Sequence, residues 1–293
     1  MSTFSDLAHA HDLADHTEVL THFLKPATGF HTVPVARGVE LPLGASRLGG
    51  GADVPAGFDW PANAGRPLDF LLQVDLAEVA AMDPFSQLPQ TGLLSFFYDV
   101  EEQPWGYDPR EQDGFRVYLF PADAVLTRHP APNDETALPQ HRLEFWAALT
   151  LPVIGSLAYE VLEAAVAESG LPWTDDETDI YFELADAVFT SGSPRPGAIG
   201  HRLGGHALNI QGDMQLEAQL VTNGIDAGGP DGFGDPRVAA LEIASDEWTL
   251  LLQLESDGEH FEWGDTGSLY FWIRHDDLAA SDFSRSWQAL QCY

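Results

Sequence analysis

Basic residues are what this chain has least of. Thirteen lysines and arginines stand against 46 aspartates and glutamates in 293 residues, a formal charge of −33. Lys25 is the only lysine. A field of that sign repels nucleic acid and anionic membrane surfaces, which excludes both as primary partners. It attracts a cationic protein or metal ions, unless the acidity serves solubility alone in a salty or acidic-proteome host. Cysteine is equally scarce. Cys292, one residue from the end, excludes a disulfide framework and a thiolate metal cluster, and reads as a small core hydrophobe. No apolar run nears the ~18 residues of a membrane span. The opening "MSTFSDLAHAHDLADH" lacks the basic-then-apolar order of a signal peptide. A soluble, cytoplasmic protein is expected. Catalytic signatures are missing too: no phosphate-cradling glycine loop with lysine, no His-Glu-x-x-His and no Gly-x-Ser-x-Gly.

What is present is globular: 44% hydrophobic residues with 11% aromatics, ample for a core. Helical spacing marks residues 14–25, and 26–45 read as a loop. Aromatic and branched runs bounded by Gly, Pro or Asp predict strands at 68–75, 93–100, 115–120 and 142–151. Two helices follow, 155–170 behind a Ser cap and 174–189 with acids in its first turn. A turn-rich linker spans 190–200. Segment 213–222 alternates like a strand but has helix-forming composition, and is read as a helix closed by Gly224. A Gly/Asp/Pro-rich loop covers 224–236 and a helix 236–245. Strands are expected at 248–255, at 267–274 and in the ending "SWQALQCY". Strand runs with segregated helices predict an α+β fold with mainly antiparallel sheets.

One phrase occurs twice. "SRLGGGADVPAG" begins at residue 46 and "HRLGGHALNIQG" at 201; Arg47–Gly57 and Arg202–Gly212 agree at six of eleven positions. "LDFLLQVDL" then answers "WTLLLQLES", setting Gln73 against Gln253, and "LPQTGLLSFFYDV" answers "WGDTGSLYFWIRH", setting Gly92 against Gly267. The expectation is two pseudo-repeated halves, 46–154 and 201–293, with a helical insert and linker (155–200) between them. An N-terminal helix and lead-in (1–45) precede them, all in one compact unit. Together with "IQGDMQLEAQLVTNG" and the ending "LQCY", these segments resemble the YwqG-like family of bacterial proteins from about Ser46 to Tyr293. The resemblance implies an α+β architecture and no activity, because that family's function is unknown. The chain departs from it at "HALN" (206–209), where a Pro-Asp pair is usual before "IQGDM".

Candidate site residues follow from chemistry. Asp213 and Glu217 share one face of the expected helix at i, i+4, where they could hold a divalent cation or share a proton as acid and base. Capping by Asp213 is the competing reading. His9, His11, His16, His22 and His31 bunch near the N-terminus, a weaker metal suggestion. Asp226, Asp231 and Asp235 fit no calcium-loop template. Arg47 and Arg202, scarce cations at matching positions, are expected to pair with acids across the join of the halves. Gln73 and Gln253 are expected to stitch the halves by buried hydrogen bonds or to line a polar crevice. Trp105, Trp263 and Asp265 sit in Trp-turn-acid stretches that serve as packing anchors or recognition platforms. Catalysis is not favoured. The reading is a binding protein, for which a regulatory or toxin-neutralising partner of a basic protein suits the acidity, with a metal-assisted hydrolase built on Asp213 and Glu217 as the alternative. No cofactor is implied beyond that divalent metal.

Overall fold

Ten strands make one sheet: β1 (Lys25–Pro34), β2 (Arg47–Leu48), β3 (Asp69–Asp75), β4 (Leu93–Tyr98), β5 (Phe115–Phe120), β6 (His141–Thr150), β7 (Arg202–Gly204), β8 (Trp248–Glu255), β9 (Ser268–Arg274) and β10 (Trp287–Gln291). Their order is β10-β9-β8-β7-β1-β6-β2-β3-β4-β5, and every neighbouring pair is antiparallel. The computed structural model describes residues 3–36, 38–82, 87–133 and 135–293. The fold is a mixture of helix and mainly antiparallel sheet.

The sheet curls until its ends nearly meet. Phe115 of β5 packs edge-on to Trp287 of β10 at 5.2 Å, and Phe96 meets Phe271 at 5.1 Å. An open strand edge invites foreign pairing, and residues 104–107 cover the edge of β10. The Trp105 carbonyl accepts the Leu290 amide at 2.9 Å, and the Gly106 carbonyl accepts Trp287 Nε1 at 2.7 Å. Gly106 is required here: its φ is +83°, and a Cβ would sit 1.9 Å from the Gln288 carbonyl oxygen.

Strand β1 corrects the expectation of a loop over 26–45. It pairs with β6 along its whole length, from Lys25 opposite Thr150 to Pro34 opposite His141, and with β7 on its other side. Two prolines and a glycine hid it. Pro26 and Pro34 lie at its ends, where a missing N–H is tolerated. Gly29 lies under Trp146, whose ring stands 2.3 Å from where a Cβ would be.

The helices that bear on function are α1 (Phe4–Ala10), α2 (Thr17–Thr21), α3 (Leu76–Met82), α4 (Leu157–Ser169), α5 (Asp175–Thr190) and α6 (Met214–Thr222). The single helix expected over 14–25 is a 3₁₀ turn followed by the short α2. Ser156 caps α4 by accepting the Tyr159 amide at 3.2 Å, and Gly170, at φ +74°, ends it. Thr174 and Glu177 form a capping box on α5. Four of these helices share a core of their own: Leu20, Leu162, Val166, Tyr181 and Leu184 are buried between α1, α2, α4 and α5, and α5 lies on β6. The expected helix over 236–245 is one short turn, Val238–Leu241, running into a 3₁₀ segment.

The two Arg-Leu-Gly-Gly segments sit at like registers. Arg47 lies opposite Gln73, which lies opposite Ser95; Arg202 lies opposite Gln253, which lies opposite Tyr270. A bulge interrupts β3 between Phe70 and Leu72, and another interrupts β8 between Leu250 and Leu252. Both glycine pairs take left-handed backbone: Gly49 and Gly50 at +64° and +72°, Gly204 and Gly205 at +67° and +77°. Side chains other than glycine's are strained there, which accounts for the repeated motif.

Candidate functional site

Arg47 is fully buried beneath the outer ribbon formed by Ala52–Pro55 and Leu126–His129. Its Nη1 donates to Asp53 Oδ2 at 2.6 Å and its Nη2 to the Gly51 carbonyl. Arg128 grips the same carboxylate through Nε at 2.9 Å and Nη2 at 3.1 Å, and the Gly44 amide and Gln73 Nε2 add bonds at 2.8 and 3.0 Å. Burial alone would favour the neutral acid, but Arg47 and Arg128 outweigh it and hold Asp53 below the usual carboxylate range. Nearly every polar atom has its partner. The pairing is local rather than with a distant acid as expected: Asp53 is six residues from Arg47.

The second arginine is set differently. Asp53 donates its amide to Gln73 Oε1 at 3.1 Å; the residue in that role for Gln253 is Leu208, at 2.9 Å. Arg202 therefore lacks the carboxylate that Arg47 has. Its Nε and Nη1 donate to the carbonyls of Gly200 and His206 at 2.8 and 3.1 Å, and its guanidinium lies 4.0 Å over Phe189. Burial lowers its pKa to about 10, opposed by the Glu255 charge. A cavity of about 270 Å³ opens beside it, walled by Phe182, Phe189, Ala198, Leu208 and Glu255. Gln253 Nε2 turns to Glu255 at 2.8 Å. Each glutamine thus ties its strand to its own outer loop.

Asp213 caps α6, the reading that competed with the carboxylate pair. Its Oδ1 accepts the Gln215 and Leu216 amides at 2.9 and 3.2 Å, and its Oδ2 accepts the Leu157 amide of α4 at 3.1 Å. Both oxygens are thereby engaged with backbone, holding the starts of α6 and α4 together. Glu217 is half-buried, with its Oε2 shut from solvent and unpartnered. Burial, helped by the Asp213 charge, pushes its pKa up to about 8. A neutral acid is poor at holding a cation.

Of the two tryptophans, Trp263 is wholly enclosed, edge-on to Tyr98 at 5.9 Å, and is a packing anchor. Trp105 is 40% exposed and Asp265 is exposed on the turn before β9. The five N-terminal histidines do not act as one group: His16 Nε2 meets the Pro172 carbonyl and His31 Nε2 meets Ser193 Oγ, each at 2.8 Å. Asp226 and Asp235 are engaged locally with the Gly228 amide and with Arg237.

Charge is distributed unevenly. Ten described arginines are held in ion pairs, among them Arg66 with Asp99, Arg142 and Arg195 with Glu144, and Arg274 with Glu247. The remaining described arginine is the buried Arg202. The layer of α1, α2, α4 and α5 has no such relief, because no lysine or arginine lies before Lys25 and none lies between Arg142 and Arg195. Glu160, Glu163 and Glu168 on α4 and Asp175, Asp176, Asp179, Glu183 and Asp186 on α5 are exposed there. Val161, 60% exposed, lies among them.

A family model described as a domain of unknown function (DUF1963) matches residues 46–292. The chain belongs to the DUF1963 family. The matched region begins just before β2 and runs past β10, so it takes in nine strands of the sheet and both arginine centres, while α1, α2 and β1 lie outside it. No curated protein matches the chain. The DUF1963 assignment brings no activity with it. No helix among the described residues is long and apolar enough to cross a membrane.

Proposed function

We propose that the protein is a non-catalytic binding protein whose partner is a basic protein, received on the α1–α2–α4–α5 layer, in the manner of a regulator or a toxin-neutralising factor. The observation that carries this reading is the unrelieved acidity of that layer. Elsewhere arginines are interleaved with the acids and paired to them; here none is present. Such a surface steers a cationic partner at long range, and the field acts on association more than on contact energy. The hydrolase alternative loses its support with Asp213 committed to two helix starts. We also read the halves as copies of one unit, supported by the matched Arg–Gln registers, bulges and glycine pairs.

The test is to capture a partner by cross-linking in host extract and measure its association rate against salt. The rate should fall roughly tenfold or more as salt screens interactions beyond about 8 Å. Changing Glu160, Glu163 and Glu183 to Lys should slow association similarly at low salt. A control that changes the exposed Asp123, Glu242 and Asp246 to Lys should leave most of the rate. A salt-independent rate, or equal losses in both variants, would refute the assignment.

A further inference from the structure

Two histidines that come from distant parts of the chain face each other. His141 is the first residue of β6, buried between Pro34 of β1 and Leu48 of β2. His260 belongs to the β8–β9 connection, and the two rings lie 4.8 Å apart at 76°. Each ring has one nitrogen already assigned. His141 Nδ1 lies 2.9 Å from the Pro139 carbonyl, which only accepts, so Nδ1 carries the proton and Nε2 the lone pair. His260 Nδ1 lies 2.9 Å from Asp257 Oδ2, with the same consequence for its Nε2. A carbonyl behind one imidazole and a carboxylate behind another is the arrangement that orients histidines toward a metal ion and raises their basicity.

The carboxylate is built for charge. Asp257 Oδ1 accepts the amides of Glu259, His260 and Phe261 at 2.9, 2.7 and 3.1 Å. Its other oxygen faces the His260 ring, so the carboxylate is fixed on both sides. One ligand atom from each of His141, Asp257 and His260 lies within 4.8 Å of the others, the only such convergence of three among the described residues. We propose that His141 and His260, with Asp257 held behind the second ring, form a binding site for a divalent transition metal ion of the zinc class. Zinc bonds of about 2.0–2.2 Å require the ligands to draw in by roughly an ångström. His260 can supply that movement, since its side chain is 28% exposed on a connecting segment. Glu259, with a carboxylate oxygen 3.9 Å from His260 Nε2 and mostly in solvent, is placed to complete the coordination. Imidazole nitrogens with one carboxylate suit zinc, nickel or iron better than calcium or magnesium. The N-terminal histidines and the Asp213–Glu217 pair form no comparable group.

The site is held from behind by the first glycine pair. The Gly50 amide donates to the Leu138 carbonyl at 2.9 Å, and a Cβ on Gly49 would lie 2.4 Å from the Pro139 carbonyl oxygen, the same atom that holds His141. A bound ion would therefore pin the β8–β9 connection to the start of β6.

The experiment uses the full chain after chelator treatment. Cobalt(II) titration is followed by its visible d–d absorption and zinc binding by calorimetry, with thermal unfolding measured in parallel. The parent should bind one equivalent of either ion and unfold at higher temperature when loaded. His260→Ala, at a part-exposed position, should weaken binding at least a hundredfold and abolish the thermal shift; Asp257→Asn should weaken it tenfold or more. Replacing His9 and His11 by Ala should change neither. His141→Asn serves as a further check if it folds. No one-equivalent binding by the parent would overturn the assignment. So would binding that survives His260→Ala, or binding lost on changing His9 and His11.

Discussion

Glu217→Gln should make the protein more stable at neutral and alkaline pH, by roughly 3 kcal/mol at pH 7 and roughly 5 at pH 9, with no gain at pH 4. The reason is the position of Glu217 on α6, half-buried with Oε2 shut from solvent and unpartnered, and with the Asp213 charge nearby. Its folded pKa is raised to about 8 from an ordinary 4.5. The folded state therefore binds the proton more tightly than the unfolded chain does. Whatever stability this protonation lends is complete below pH 4.5 and is lost as pH rises, fully so once pH passes about 8. Glutamine has the same shape and no proton to lose, so it removes that loss. Denaturant titrations of both proteins at pH 4, 7 and 9 measure it. Parallel curves for parent and variant at all three values would mean that Glu217 is hydrated and titrates normally.

Arg47→Met should cost about 3–5 kcal/mol, whereas Arg202→Met should cost much less. Removing one member of a buried ion pair strands the other, and the stranded charge dominates the loss. At Arg47 the stranded groups are the Asp53 carboxylate, left to Arg128, Gln73 and Gly44, and the Gly51 carbonyl. At Arg202 no carboxylate depends on the guanidinium for a direct bond; the losses are two carbonyl contacts and the face of Phe189. A methionine keeps much of the stem packing in both. The acid limb separates them as well. With the Asp53 pKa depressed, its contribution is present above the ordinary aspartate range and lost as pH falls through and below it. Arg47→Met should flatten that acid loss, and Arg202→Met should leave it. Equal costs for the two variants would show that the asymmetry of Asp53 and Leu208 carries no energy.

Local signals made much of this fold legible. The strands at 69–75, 93–98, 115–120 and 248–255 and the helices α4, α5 and α6 lie within a residue or two of where apolar spacing and caps put them. Asp213 was readable as a cap because capping is a local bond. What could not be read was anything decided by distant packing. β1 looks like a loop until β6 and β7 supply the edges that make its prolines harmless. Glu217 looks like a surface acid until the fold shuts its Oε2 from solvent. His141 and Asp257 are separated by more than a hundred residues, so only the Asp257-x-x-His260 spacing was available as a hint, and that spacing is common on surfaces.

Strand β1 sets the order in which the chain can fold. It emerges early, yet its first partner starts at residue 141 and its second at residue 202. Until then a ten-residue strand has both edges free, while β3, β4 and β5 can already pair among themselves through shorter connections. Closing loops that long is slow and leaves time for wrong pairing. Prolines at its second and last positions limit what a stray strand could bond to meanwhile. During synthesis the β3–β5 meander is thus the first piece able to stand, and the sheet's centre forms only after β6 and β7 have followed it.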